Sequence, residues 1–349
     1  MPSPRDENLA AARRSLLELI DTEHAVTTSE IEAKLTTESR LLDDAHYPHI
    51  LTTARFQLLN EGILTAAREA TRGGHAVATL SLKNNRGRTT AIKTAAARKR
   101  LLSARYLGWA SGSATYRNGH VGPAGESAVR QAIIQSGVLG GLTPGAGEVK
   151  KILGTELLGP LDSGGFLTVF DEYDVPSGSI YVPIEVKNIR DWIYPNSAEL
   201  YQLLHKAALL QTGAPTASVM PVLICRRINH TTVFLAKRLG FKVFPTDQQF
   251  IRPVVSDDEL AEVRTELGFL DLIKIPDNTT VAPLLNFFKT TLAKGAPEFA
   301  ESWRQAVLTH NLDEYFRELR SPQLRFHERE DTMTRFRAAC EAAGMRGGW

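Results

Sequence analysis

Glu185 and Lys187 close the apolar run Tyr181-Val182-Pro183-Ile184-Glu185-Val186-Lys187, and Asn188 follows at once. Alternate side chains of a strand share a face, so the acid and the lysine lie side by side, while Ile184 and Val186 face the other way. A carboxylate and an ammonium held where a buried strand ends suit a divalent-metal site that activates water. Mg²⁺ takes hard oxygen ligands, keeps several waters and needs only one or two carboxylates, with Mn²⁺ as the second choice. Lys187 then stands where it can orient the nucleophile or offset charge on a phosphorane. Its simpler role is as the ion-pair partner of Glu185.

A bare Glu-x-Lys carries little information, because the chain holds three: Glu32-Ala33-Lys34, Glu148-Val149-Lys150 and Glu185-Val186-Lys187. The first falls in a capped helix, where residues two apart diverge by about 200°. The second follows Thr143-Pro144-Gly145-Ala146-Gly147 and has no apolar strand before it. Only the third ends a strand and has acids on the segment before it. Hairpin geometry selects the partner acid among Asp162, Asp171 and Asp174. With a turn near 175–179, Asp174 sits about 10–13 Å from Glu185 at ~3.3 Å per residue. Asp162 begins the first strand and so lies beside the end of the second, which favours Asp162. A bulge could bring Asp174 or Asp171 back. Two carboxylates together repel unless a cation or Lys187 offsets them.

These features resemble the PD-(D/E)xK, or restriction endonuclease-like, nuclease superfamily, and Pro160-Leu161-Asp162 echoes its "PD" element. The resemblance covers residues 119–253 and implies metal-dependent hydrolysis of DNA, with Asp162 and Glu185 as metal ligands and Lys187 as the catalytic cation. Two further residues enter through the family. Gly125-Glu126-Ser127-Ala128-Val129 resembles its first-helix start, which implies a supporting role for Glu126, although an acid at a helix N-terminus is also favoured by the macrodipole. Gln202, in Glu199-Leu200-Tyr201-Gln202, matches a glutamine that joins the site in exonuclease-like branches; otherwise it is an ordinary helix residue.

These residues need a frame, and the expected frame is α/β: a restriction endonuclease-like αβββαβ core, preceded by a winged helix and followed by a helical C-terminal region. In residues 1–82 the apolar spacing of Leu9, Ala12, Leu16, Leu17 and Ile20 predicts a helix. Thr27-Thr28-Ser29-Glu30 caps a second, and Tyr47 to Asn60 makes a third that stops at Gly62. Ile63-Leu64-Thr65 and His75 to Leu82 flank the turn Thr71-Arg72-Gly73-Gly74. This order resembles the winged-helix family, which implies DNA contact through the third helix. The core itself reads as a helix from Gly125, a strand near Lys150–Leu158, a hairpin over 165–187, a helix from Ser197, a strand to Cys225, a helix from His230 and a strand Lys242–Pro245. Residues 254–349 read as amphipathic helices.

Net charge is only +2, yet nine Lys and Arg between Lys83 and Arg117 stand with no Asp or Glu among them. Residues 83–118 are therefore expected to be a basic helical linker that forms either a phosphate-contacting stripe or a solvated face. The expected DNA contacts are Arg55 and Thr53 on the third helix, Arg72 at the wing, Arg98, Lys99 and Arg100 in the basic block, and Arg190, Arg226 and Arg227 beyond the core strands. His46 and His49 lack further ligands for zinc, and no phosphate-loop motif occurs. Cys225 and Cys340 offer no disulfide framework, the N-terminus is unlike a signal peptide, and no long apolar run occurs. The expectation is a cytoplasmic protein that binds DNA, does not enter membranes, and is compatible with a homodimer.

Overall fold

The computed structural model describes residues 4–36, 45–70, 75–84, 87–112, 119–141, 149–276 and 278–345. The described residues are mixed α/β, 52% helix and 22% strand. It divides into two compact units, residues 1–121 with 251–274 and residues 122–250 with 275–349. The expected linker and part of the expected C-terminal region therefore belong to the first unit.

In the first unit, α1 (Pro4–Glu23), β1 (Val26–Thr27), α2 (Thr28–Leu35) and α3 (Pro48–Asn60) precede a hairpin of β2 (Leu64–Ala70) and β3 (Ala76–Leu82). The start of α2 is set by a capping box in which Thr27 and Glu30 each accept the other's backbone N–H at 3.3 Å. The three strands form one sheet in the order β1-β3-β2. Leu16, Ile20, Ile31, Leu51, Leu58, Leu64 and Leu80 close a core beneath it. Helix α4 (Thr89–Ser111) carries the basic block, and its Leu102, Tyr106 and Trp109 pack with Leu260, Val263 and Leu267 of the helix Asp257–Leu267. The Thr71–Gly74 turn with Arg72, and Arg86 and Arg117 of the basic block, lie outside the described residues.

The second unit is built on a six-stranded sheet. Helix α5 (Gly122–Ser136) and β4 (Leu139–Gly140) come first, followed by β5 (Val149–Ile152) and β6 (Thr155–Leu161), then β7 (Ser163–Phe170) and β8 (Pro176–Lys187). Helix α6 (Ala198–Gly213), β9 (Ser218–Val219), β10 (Val222–Cys225), α7 (His230–Leu239) and β11 (Lys242–Pro245) complete the sheet region. Its order is β11-β10-β8-β7-β4, with β9 beside β8. β8 pairs antiparallel with β7 and parallel with β10, so the strand that carries Glu185 and Lys187 is central. Leu200, Leu203, Leu204, Leu223, Leu235, Trp303, Phe316 and Phe336 are among the residues that fill the core between the sheet and the C-terminal helices.

Two expectations change here. The single strand near Lys150–Leu158 is a separate two-stranded hairpin, β5 with β6, and the main sheet ends at β4 instead. Leu153 and Gly154 both take positive φ between the paired residues Ile152 and Thr155, the geometry of a tight two-residue hairpin turn. The β7–β8 turn lies at Asp171–Val175 rather than 175–179, because Asp171 Oδ1 accepts the backbone N–H groups of Tyr173 and Val175, both at 2.9 Å.

Candidate active site at the end of the central strand

Strand register assembles the acids. Ser163 pairs with Ile184, so Asp162 falls next to Glu185 across the β7–β8 ladder. Asp162 Oδ2 accepts the backbone N–H of Val186 at 2.7 Å. Asp171 and Asp174 belong to the turn at the far end of β8, on the order of 25–30 Å away at ~3.3 Å per residue.

Glu185 is 4% exposed, and its charge is offset from two sides. Lys187 Nζ donates to Oε1 at 3.0 Å, and Lys206 Nζ donates to Oε2 at 3.1 Å. Lys187 also donates to Gln202 Oε1 at 3.1 Å, and Lys206 to the carbonyl of Pro160. Gln202 and Lys206 stand four apart on α6, so one helix face delivers both to the strand end. Lys206 was not singled out from sequence. Its signal was that i,i+4 spacing from Gln202, which gains meaning only once the phase of α6 against β8 is known.

Asp162 has its carboxyl pushed up to about 6, first by burial, then by the Glu185 and Glu126 charges, against the Val186 hydrogen bond and Lys187. Glu126 lies in the second turn of α5, 3.9 Å from Arg130. The helix reaches the strand end because residue 125 is glycine, since a Cβ there would stand 2.6 Å from the Cβ of Asn188. Asn188 in turn clamps both the N–H and the carbonyl of Phe250.

Among the described residues, no group of three or more His, Cys, Asp or Glu is arranged to hold a metal ion. Asp162 and Glu185 would hold Mg²⁺ only in its sparse form, in which one or two carboxylates suffice and water supplies the rest. The raised Asp162 pKa marks an acid pair that gains from added positive charge.

The residues expected to meet DNA are mostly engaged within the chain. Arg98 pairs with Glu266 at 2.7 Å and Arg100 with Glu69 at 2.9 Å. Lys99 is buried against Glu23, Glu30 and the Glu266 carbonyl. Arg226 is 1% exposed and donates to the carbonyls of Ile189 and Arg190, and Arg190 is itself buried. Arg227 pairs with Asp247 at 2.8 Å. Arg55 donates to Thr28 at 2.9 Å, and Thr53 to the carbonyl of His49 at 2.9 Å. The basic block holds no acid of its own, but folding brings it acids from α1, α2, β2 and the helix Asp257–Leu267. As a free phosphate-contacting stripe it is therefore corrected at Arg98, Lys99 and Arg100. Within it, Lys83 and Lys93 are exposed.

Compared with known proteins, the chain matches no family model, no curated protein and no solved structure. No helix among the described residues is long and apolar enough to cross a membrane.

Proposed function

We propose that the second unit is a Mg²⁺-dependent DNA nuclease of PD-(D/E)xK type, of restriction or defence character. The observation that carries this reading is the meeting of Asp162, Glu185, Lys187 and Gln202 at one end of the central strand. A helix before the β7–β8 hairpin, then α6 and a parallel β10, supports the restriction endonuclease-like core. Three helices with a β1-β3-β2 sheet support a winged helix in the first unit, with α3 as its DNA-facing helix and the exposed Phe56 beside Arg55.

Bound Mg²⁺ would supply an acidified water and neutralise charge on the scissile phosphate. Asp162 and Glu185 would hold it. Asp162 is kept in place by the Val186 N–H through Oδ2, and its Oδ1 accepts no hydrogen bond among the described residues. Lys187, fixed between Glu185 and Gln202, borders the acid pair and is suited to orient a water or steady phosphate charge. Lys206 holds the second oxygen of Glu185 and keeps that side chain from turning.

A second reading is a DNA-binding protein that keeps this fold without catalysis. It is favoured by the double ammonium clamp on Glu185, which already compensates that charge without a metal. A structure-specific repair nuclease is a third. Purified protein incubated with plasmid, single-stranded DNA or RNA, with Mg²⁺ or EDTA, separates these. Nuclease action is expected to require Mg²⁺ and to fall at least ~10²-fold in Lys187→Ala, in line with loss of a charge-stabilising group. Intact substrates in every condition, with DNA still shifted on a gel, would establish the binding protein instead.

A further inference from the structure

We infer that a cavity beside the candidate site is a phosphate subsite, which seats a phosphate of the nucleic-acid strand next to the one at Glu185 and Lys187. The inference rests on the nuclease reading for its substrate. The cavity measures about 300 Å³ and is lined by Leu158, Gly159, Gln202, Lys206, Arg320 and Pro322. Two of the six are cations and none is an acid.

Two donor groups and a further positive charge converge there. Lysine can only donate, so Gln202 must turn its carbonyl oxygen to Lys187, which leaves its amide NH₂ for the cavity. Lys206 directs its N–H bonds at the Pro160 carbonyl and at both oxygens of Glu185, so it lends the cavity wall its positive charge rather than a free donor. Arg320 is half-buried, and its guanidinium makes no hydrogen bond or ion pair among the described residues. A planar fork of unpaired donors fits two oxygens of a phosphate at once. Leu158 and Pro322 add an apolar wall of the kind a sugar covers. Gln202 and Lys206 each touch both the cavity and the Glu185–Lys187 cluster, so an anion seated in the cavity is registered against the reacting position.

The test is fluorescence anisotropy on the full chain in EDTA, with labelled oligonucleotides that carry one neutral methylphosphonate at successive linkages, and with 5′-phosphate and 5′-hydroxyl ends. Arg320→Ala is expected to weaken binding of the unmodified strand about 5–20-fold and to reduce the salt slope by about one. Arg320→Lys should retain part of the affinity and reports that the fold is intact. At one position, wild type should lose affinity on neutralisation while Arg320→Ala loses no more. Coupling at a terminal phosphate would show that the pocket reads strand ends, and coupling at an inner linkage that it reads a continuous strand. Equal losses for wild type and Arg320→Ala at every position would overturn the subsite. Cleavage with Mg²⁺, run in parallel, keeps the two ideas apart. Cut DNA without coupling removes the subsite alone, and coupling with DNA that is never cut removes the nuclease reading alone.

Discussion

The carboxylate of Asp162 accepts the backbone N–H of Val186 at 2.7 Å, which ties the start of one strand to the end of its neighbour and sets an acid beside Glu185. That acid is raised from 3.8 to about 6 by burial and by the like charges of Glu185 and Glu126. A carboxyl whose folded pKa lies above its unfolded value adds stability that is full below the unfolded pKa and lost as pH rises through the folded one. Metal-free protein should therefore lose stability between about pH 4 and pH 6.5, by at most about 3 kcal/mol from this group. Asp162→Asn should flatten that segment of a urea-denaturation pH profile. Mg²⁺ should stabilise wild type more at pH 7.5 than at pH 5. An unchanged profile in the variant would remove Asp162 as its source.

Glu185 is buried between two ammoniums, so neither lysine is dispensable. Lys206→Met should cost about 1–3 kcal/mol, since a buried carboxylate loses a charged donor. Lys187→Met should cost a similar amount, and the double variant more than either, because it leaves the acid without a cation. Glu185→Gln placed on the double variant should restore much of the loss, as a neutral amide no longer needs one. Chemical denaturation of the four proteins reads this directly, and additive losses without rescue would refute the clamp.

Gly125 is required by the approach of α5 to the strand end. A Cβ there would stand 2.6 Å from the Cβ of Asn188 and 2.9 Å from its Cγ, closer than atoms pack. Gly125→Ala should destabilise by about 1–3 kcal/mol, the usual cost of overpacking. It should also lower any activity, because the helix carries Glu126. Gly122→Ala on the same helix meets only Glu126 at 4.0 Å and should change stability by less than ~0.5 kcal/mol. Equal melting temperatures for the two variants would contradict this packing.

Much of this frame was legible before the structure. Thr27 and Glu30 announced a helix start, Gly62 takes the left-handed conformation just past the end of α3, and the alternation from Tyr181 to Lys187 marked the central strand. Register reasoning put Asp162 beside Glu185 even though the turn was misplaced by about four residues. The strand ends, not the turn, decide which residues meet there. The Asx turn at Asp171 was the missed signal. Lys206 and Arg320 were illegible because their roles depend on helix phase and on a return of the chain more than a hundred residues later. The basic block misled for the same reason, since charge counted along the sequence omits the acids that folding brings to it.

Lys99 makes that last point testable. Its ammonium meets Glu30 at 2.6 Å and Glu23 at 2.9 Å, and Lys34 shares both acids. Removing one member of a buried ion network leaves the others uncompensated, so Lys99→Met should cost about 3 kcal/mol. The triple change Lys99→Met, Lys34→Met, Glu30→Leu should recover part of it, as apolar replacements of buried charges often do. Lys93, on the same helix, is exposed. Lys93→Ala should leave the melting temperature unchanged and, if α4 lies along a DNA backbone, weaken DNA binding and lower the salt slope by about one. Lys99→Met, assayed well below its melting temperature, should leave DNA affinity as it is. A loss of affinity in Lys99→Met with its stability intact would restore the buried lysine to the DNA-contacting stripe.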